Sequence, residues 1–227
     1  MNAPLIKLHV APDLVDQVHQ ALLGAIADGT LAPGARLTQE EIAQQLAVSR
    51  QPVLQALRLL KQEGLVLDAP GRGVQVAPLT PEGTAAVYQV RGALDTLAAR
   101  LAAERRASLD PKLIERGRKA ARGRQVQAMI EADAAFHTAV YEAAGNPLIA
   151  RSAQLHWAHV RRAMGAVLQA SARRESVWDE HEAIAAAIAA GDAERAERLM
   201  REHDASASDH ITRHLGAAVG GAEARHS

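Results

Sequence analysis

The 227-residue sequence contains no cysteine, and aromatic residues make up only 2% of it. Without cysteine, neither a disulfide nor a thiolate metal site can form, so any bound metal ion must be held by histidine, aspartate or glutamate. With so few aromatic rings, the core must be built mainly from alanine, leucine, valine and isoleucine. This composition suits closely packed helices.

Net charge and long apolar runs are also missing. The 26 lysine and arginine residues balance 26 aspartate and glutamate residues, which gives no support to a nonspecific nucleic-acid binder but leaves room for a specific reader with a few local arginines. No apolar stretch approaches the roughly 18 residues of a membrane span, and the N-terminus lacks the pattern of a signal peptide. We therefore expect a cytoplasmic protein with no role at a membrane.

The sequence divides into two parts near APLTPEG, residues 77–83. Helix and strand patterns are mixed before this linker, whereas nearly everything after it is helical. We predict a first domain over residues 1–79, an all-helical second domain over 84–215 and a disordered tail over 216–227, which is rich in small and polar residues. The predicted fold class is mainly α.

Three helices and a β-hairpin are predicted in the first domain. The first helix, about residues 12–28, has apolar residues at three- and four-residue steps and ends at Gly29. A short helix begins at the capping box of Thr38 and Glu41, and a tight turn leads to a third helix capped by Ser49. Two short strands joined by a Pro-Gly turn follow. This order predicts a winged helix-turn-helix; the alternative is a small helical domain that does not bind DNA.

The start of the third helix carries residues suited to reading DNA. In a helix-turn-helix the second of the two helices enters the major groove, and its first residues, here Ser49, Arg50 and Gln51, meet base edges. Arginine pairs bidentately with guanine and glutamine with adenine, each worth about 1–3 kcal/mol of discrimination. Ser49 and Thr38 can contact phosphate, and Arg72 lies between glycines at the tip of the predicted wing. The alternative is that both arginines are solvated surface residues, but their joint occurrence at these places favours DNA contact.

Four residues of the second part have the types and spacing of metal ligands. Asp133 and His137 are four apart on one helical face, and His181 and His203 lie on the last two predicted helices. Inward-facing histidines from antiparallel helices, together with a carboxylate, suit Zn²⁺, Ni²⁺ or a similar ion. An isolated histidine is more often a surface residue or a hydrogen-bonded core residue. Because the sequence has ten histidines, pairs also arise by chance, and spacing alone leaves both interpretations open.

The stretch AIADGTLAPGARLTQEEIAQQLAVSRQPVLQALRLLKQEGLV resembles the DNA-binding domain of the GntR transcription regulators. The resemblance covers about residues 20–77 and depends on four elements together: G-x-L-x-P-G-x-x-L, E-E-I-A, V-S-R-x-P-V and A-L-x-x-L-x-x-E-G-L-V. It implies a winged helix-turn-helix repressor that binds an operator as a dimer, with Arg50, Gln51 and Arg72 at DNA-contacting positions. Leu54 departs from the family, which usually carries a DNA-contacting arginine there. We therefore expect a weaker or differently specified operator contact, with less salt dependence than in typical relatives.

Three stretches of the second part resemble the ligand-binding FCD domain of the FadR-like branch of these regulators, over about residues 85–205: VYQVRGALDTLAARLAAERR, DAAFHTAVYEAAGNP and EHEAIAAAIAAGDAERAERLMREH. The resemblance assigns four metal ligands, Asp133, His137, His181 and His203. It also implies a small carboxylate bound at or beside the metal, with Arg91 at a position expected to pair with it. A guanidinium fork fits a carboxylate bidentately. The alternative for Arg91 is a salt bridge with Asp95 at i+4.

The leading interpretation is a ligand-responsive transcriptional repressor and not an enzyme. A small organic acid at the metal and Arg91 would alter the arrangement of two DNA-binding domains in a homodimer. One alternative is a metalloenzyme whose ion activates water, although the sequence places no further acid or base near the proposed ligands except Glu180 or Glu182. The other alternative is a helical protein that binds no metal.

Overall fold

The computed structural model describes residues 14–71, 73–123, 125–168 and 175–223, with side chains described as far as residue 217. The chain divides between Pro78 and Leu79 into two compact units. The first combines three helices with a small sheet, and the second is entirely helical over its described residues. This architecture confirms the predicted fold class.

The first unit is a winged helix-turn-helix. Its elements are α1 (Leu14–Ala27), β1 (Arg36–Leu37), α2 (Gln39–Gln45), α3 (Arg50–Gln62), β2 (Val66–Asp68) and β3 (Val74–Val76). Strand β3 lies between β1 and β2 and is antiparallel to both, with Leu37 opposite Val74 and Val66 opposite Val76. The sequence reasoning missed β1, because two residues are too short to show the alternation that indicates a strand.

The caps of α2 and α3 differ. The Thr38 hydroxyl accepts a hydrogen bond from the backbone N–H of Glu41 at 3.3 Å, which confirms Thr38 as the N-cap of α2. The same hydroxyl donates to the Glu41 carboxylate at 2.7 Å, so the two residues of the predicted capping box also contact each other through their side chains. Ser49 occupies the N-cap position of α3, but its side chain makes no capping hydrogen bond, so that part of the prediction is wrong. The third helical residue is Pro52, which lacks the N–H that an N-cap side chain usually accepts from.

Helix α3 is held by its apolar face. Pro52, Val53, Ala56, Leu57 and Leu60 are all buried, so that Val53, Leu57 and Leu60 form the packing side, as predicted. The opposite face remains available at the surface. The packing therefore fixes which residues of α3 can meet a partner.

The second unit contains six long helices in its described residues: α4 (Pro81–Glu104), α5 (Lys112–Gly123), α6 (Val126–Ala144), α7 (Pro147–Val167), α8 (Ser176–Ala190) and α9 (Ala193–Glu223). The break between α5 and α6 was not predicted. Helix α9 continues to Glu223, whereas disorder was predicted from residue 216, and no proline interrupts the helix there; residues 224–227 lie outside the described part. Among the described residues, no helix combines the length and the apolar character that a membrane crossing requires.

Helix α4 lies at the centre of the second unit and packs against α6, α7, α8 and α9. Its buried face is built from small side chains: Ala98, Ala99, Ala102 and Ala103. These alanines allow neighbouring helices to approach closely. Larger side chains such as Phe136 and Trp178 complete the same core, which agrees with the alanine- and aliphatic-rich core expected from the composition.

Candidate metal centre and DNA-binding surface

The four predicted metal ligands lie together in the interior of the second unit. Helix α6 supplies Asp133 and His137, one turn apart, while α8 supplies His181 and α9 supplies His203. All four are buried, and each offers a donor atom within 4.8 Å of the others. The closest donors are Nε2 of His181 and Nε2 of His203, at 3.2 Å. The Asp133 Oδ1 atom lies 3.5 Å from His181 Nε2 and 4.0 Å from His137 Nε2.

These separations fit a divalent ion. Bonds of about 2.0–2.2 Å place two tetrahedral ligand atoms roughly 3.3 Å apart, and opposite ligands of an octahedron roughly 4 Å apart. The two buried ring nitrogens of His137, Nδ1 and Nε2, have no hydrogen-bond partner within the described part of the chain. A buried polar atom without a partner is costly, and an ion would supply one. Three imidazoles and one carboxylate are also a donor set that first-row divalent metals accept.

The protonation states favour metal binding as well. Burial lowers the pKa of His181 well below its ordinary value, and the neighbouring His203 and His137 lower it further. Burial and the Arg91 guanidinium lower the pKa of His137, outweighing the opposite effect of Asp95. Both rings are therefore neutral at neutral pH, which is the form that binds metal.

His203 is oriented by a carboxylate on a neighbouring helix. Its Nδ1 lies 2.8 Å from Oε2 of Glu180 on α8. Because a carboxylate only accepts, Nδ1 must carry the proton and donate it, which leaves Nε2 as the donor atom in the cluster. Burial lowers the pKa of His203, but the hydrogen bond to Glu180 raises it, and the net change is upward.

Arg91 lies beside the cluster and makes the salt bridge considered as an alternative in the sequence. Its Nε is 3.1 Å from Oδ2 of Asp95, and its guanidinium lies 4.4 Å from the centre of the Trp157 ring. Burial raises the pKa of Asp95, but Arg91 and then His137 lower it, so that the net pKa falls below the usual range. The Nε and Nη2 atoms of Arg91 are buried, and neither has a hydrogen-bond partner among the described residues, so that Asp95 contacts Nε as an ion pair only. The guanidinium therefore keeps donors for another partner.

A cavity of about 70 Å³ is lined by two of the four candidate ligands. Its wall includes Arg91, Asp133 and His203 together with apolar side chains such as Met129, Met164 and Trp178. One water molecule requires about 10–15 Å³ by the comparable measure. The cavity is thus large enough for several waters or a small organic molecule, and a cation and two candidate metal ligands share its wall.

On the first unit, the predicted contact residues lie at the exposed start of α3. Ser49, Arg50 and Gln51 are all exposed. Arg50 Nη2 donates to Oε1 of Glu40 on α2 at 2.8 Å, and both side chains are largely exposed, so this pair is weak and can be exchanged for a phosphate or base. Thr38 uses its hydroxyl in the capping box of α2. Arg72, predicted at the wing tip, lies outside the described residues.

Leu54 is half-buried on the same face of α3. It follows Gln51 by three residues and precedes Arg58 by four, and Arg58 is exposed. Sequence reasoning missed Arg58 as a candidate contact. The available signal was its spacing of seven residues from Gln51, which places both on one face of the helix.

A winged helix-turn-helix joined to a helical unit with a buried histidine and aspartate cluster defines a class of ligand-responsive transcription regulators. Residues 14–76 match the family described as "Bacterial regulatory proteins, gntR family", and residues 86–206 match the "FCD domain". The chain therefore belongs to the GntR family of transcription regulators, in its FadR-like subfamily with an FCD domain.

Individual relatives agree with this assignment. An HTH-type transcriptional regulator in an unstable DNA locus of Streptomyces ambofaciens is 31% identical over 188 residues, covering 81% of this chain and 78% of the relative. The HTH-type transcriptional regulator LutR of Bacillus subtilis is 28% identical over 215 residues, covering 81% of this chain and 94% of the relative. The structure of E. coli McbR/YncC is similar in fold, with a TM-score of 0.75 and 23% identity over 91% of this chain and 99% of that one. The relatives are regulators and not enzymes, so the metalloenzyme alternative is wrong.

Proposed function

We propose that this protein is a metal-dependent repressor that leaves its operator when a small organic acid binds beside the metal. The observation that carries the proposal is the buried set of four donors, two of which, Asp133 and His203, line a cavity together with Arg91. A bound divalent ion would supply positive charge and a coordination position for a carboxylate oxygen. Asp133, His137, His181 and His203 would hold that ion.

The donor set supports Zn²⁺ or Ni²⁺ as the ion. Imidazole nitrogens suit both metals, whereas Mg²⁺ and Ca²⁺ prefer sites made entirely of oxygen. Only one of the four donors is a carboxylate. Metal analysis of the purified protein identifies the ion, and a preparation that retains only Mg²⁺ or Ca²⁺ would contradict this choice.

Arg91 supports a carboxylate as the effector. Asp95 Oδ2 forms an ion pair with its Nε at 3.1 Å, and Nη2 is buried without a hydrogen-bond partner in the described residues. Leaving a buried charged donor unpaired is unfavourable, and a carboxylate is the acceptor that best satisfies a guanidinium. Arg91 is already buried and packs against the Trp157 ring, so its side chain loses little conformational entropy when the acid binds.

Operator release by a small acid tests the function directly. The metal-loaded protein is titrated onto its labelled upstream DNA, and fluorescence anisotropy is followed as small carboxylic acids are added. We expect one of these acids to weaken operator binding by about 5- to 150-fold, the usual range of allosteric coupling. The neutral amide of the same acid is the matched control. An amide that acts as strongly as its acid would contradict carboxylate recognition by Arg91.

We also propose that the repressor is a homodimer. Helix α4 exposes an apolar stripe at alternating four- and three-residue steps: Ala86, Val90, Ala93 and Leu97. Such spacing is typical of a seam between two packed helices, and in a two-fold dimer one stripe can meet its own copy. Val90 is 51% exposed and Leu97 42%. Sedimentation of the purified protein at the mass of one chain would contradict this proposal.

Replacing Arg50 tests whether the first unit binds the operator through the start of α3. We propose Arg50 as a base-contacting residue, and we propose Thr38, Ser49, Gln51, Arg58 and Arg72 as further contacts to the DNA. We expect Arg50→Ala to weaken operator binding by about 5- to 150-fold, the equivalent of the roughly 1–3 kcal/mol of a bidentate base contact. The measurement is anisotropy on operator and scrambled DNA at fixed salt.

Lys61→Ala is the matched control for Arg50→Ala. It removes the same charge from the far end of α3, where Lys61 is paired with Asp68 at 2.6 Å. An effect of Arg50→Ala no larger than that of Lys61→Ala, or equal on both DNAs, would show that Arg50 contributes only nonspecific charge.

A further inference from the structure

We infer that Asp95 is a positioning residue that links the guanidinium of Arg91 to the metal-ligand candidate His137. This inference rests on the proposed function of the same site. The Asp95 side chain is 0% exposed, and its Oδ2 lies 3.1 Å from Arg91 Nε and 3.1 Å from His137 Nδ1. Its other oxygen accepts a hydrogen bond from the Tyr141 hydroxyl. One buried carboxylate thus contacts both groups that the proposed function requires.

Asp95 affects which ring nitrogen of His137 carries the proton. An ionised carboxylate oxygen 3.1 Å from Nδ1 favours the tautomer of the neutral His137 ring that carries its proton on Nδ1, which leaves Nε2 unprotonated. The Nε2 atom is the one that lies 4.0 Å from Asp133 Oδ1. Outer carboxylates of this kind fix the tautomer and raise the basicity of a metal-binding histidine.

Arg91 affects the charge on Asp95. The guanidinium partly neutralises the same Asp95 oxygen that faces His137. When an incoming carboxylate shares the guanidinium, Asp95 is neutralised less, and His137 becomes a stronger electron donor. Acid binding and metal binding should therefore strengthen each other, and the strengthening must be reciprocal.

Glu180 offers a matched comparison within the same cluster. Its Oε2 accepts a hydrogen bond from Nδ1 of His203 at 2.8 Å, whereas Asp95 Oδ2 lies 3.1 Å from Nδ1 of His137 as an ion-pair contact. The Glu180 side chain is 31% exposed, and the salt bridge of Arg91 is with Asp95. Glu180→Gln should therefore weaken metal binding without uncoupling it from an acid. Asp95→Asn should do both.

The experiment uses full-length protein and two readouts. Zinc affinity is measured by competition with a chelating dye, with and without acetate, which is small enough for the cavity of about 70 Å³. Nitrogen NMR of histidine-labelled, metal-free protein reports which ring nitrogen of His137 carries the proton. We expect zinc affinity to fall about 10- to 100-fold in both variants. Acetate should tighten zinc binding in the wild type and in Glu180→Gln but not in Asp95→Asn, and only Asp95→Asn should change the His137 tautomer.

The outcomes distinguish the positioning role of Asp95 from the presence of the metal site. Wild-type zinc affinity and an unchanged His137 tautomer in Asp95→Asn would overturn the positioning role while leaving the metal site intact. An equal acetate effect in Asp95→Asn, or none in the wild type, would overturn the link to Arg91. A wild type without zinc affinity would overturn the proposed function and this inference with it.

Folding of the variant is controlled separately. Asp95→Asn leaves Arg91 as a buried charge without its counter-ion. If that variant does not fold, the double variant Arg91→Met, Asp95→Asn removes both charges and still deprives His137 of its acceptor. Reduced zinc affinity with an altered His137 tautomer in the double variant supports the positioning role, and wild-type values of both would overturn it.

Discussion

The variant His203→Ala should lose the divalent ion that the wild-type protein is expected to bind at about one per chain. His203 supplies one of the four donors, and its removal also leaves Glu180 without the ring N–H that it accepts from. We expect the affinity to fall by more than the roughly 10- to 100-fold that the loss of an outer partner costs. Elemental analysis after dialysis and a competition titration measure the change.

His214→Ala is the control for this variant. His214 lies on α9 as well, is exposed, and bonds through Nδ1 to the backbone carbonyl of His210 on its own helix. It removes the same side chain from the same helix without touching the four donors, so the ion content should not change. Equal ion content in His203→Ala and the wild type would contradict the assignment of His203 as a ligand.

The same variant should lose stabilisation by metal. An ion that binds only the folded state stabilises it by about 2.7 kcal/mol when present at 100 times its dissociation constant. Added Zn²⁺ should therefore raise the melting temperature of the wild type and of His214→Ala but not that of His203→Ala. A rise of equal size in all three proteins would place the stabilising ion elsewhere.

Gly117→Ala should destabilise the second unit strongly. A Cβ at Gly117 would lie 2.1 Å from carbon atoms of the Trp178 ring, and Trp178 is almost completely buried. In an open helix the change from glycine to alanine stabilises by up to about 1 kcal/mol. Here the indole must move or the helices must separate, and overpacking of this kind costs about 1–3 kcal/mol or more. We expect a net loss of stability in urea unfolding followed by tryptophan fluorescence.

The displaced indole would also disturb the candidate metal centre. Trp178 packs edge-on against His181, with ring centres 4.7 Å apart, and it forms part of the cavity wall. Gly117→Ala should therefore weaken metal binding although Gly117 lies on α5, which supplies none of the four donors.

Gly165→Ala is the control, because its Cβ would have no heavy atom within 4 Å. It should leave stability unchanged or raise it slightly, within the roughly 1 kcal/mol of helix propensity. If Gly117→Ala unfolds at the same urea concentration as Gly165→Ala, Trp178 can move aside without loss of stability. That result would contradict the expected overpacking.

The candidate metal donors were predictable as residue types, but their surroundings were not. Asp133 and His137 are four residues apart on one helix, a local relation that the sequence shows directly. Glu180 and His203 lie on different helices, 23 residues apart, and nothing local indicates that their side chains meet. Asp95 was considered only as a partner of Arg91, because its contact with His137 joins α4 to α6.

The sequence by itself determined the order and type of most elements, since capping residues, turn residues and apolar periodicity act over a few neighbouring residues; β1 and the break between α5 and α6 were not predicted. It also determined which side-chain groups are present: no thiolate ligand, few aromatic rings, and a helix that starts with the polar residues Ser49, Arg50 and Gln51. Only the tertiary structure decided which side chains share a cavity, which carboxylate orients which histidine, and why a glycine faces Trp178. These relations depend on how helices far apart in the chain pack together, and short-range sequence patterns do not indicate that packing.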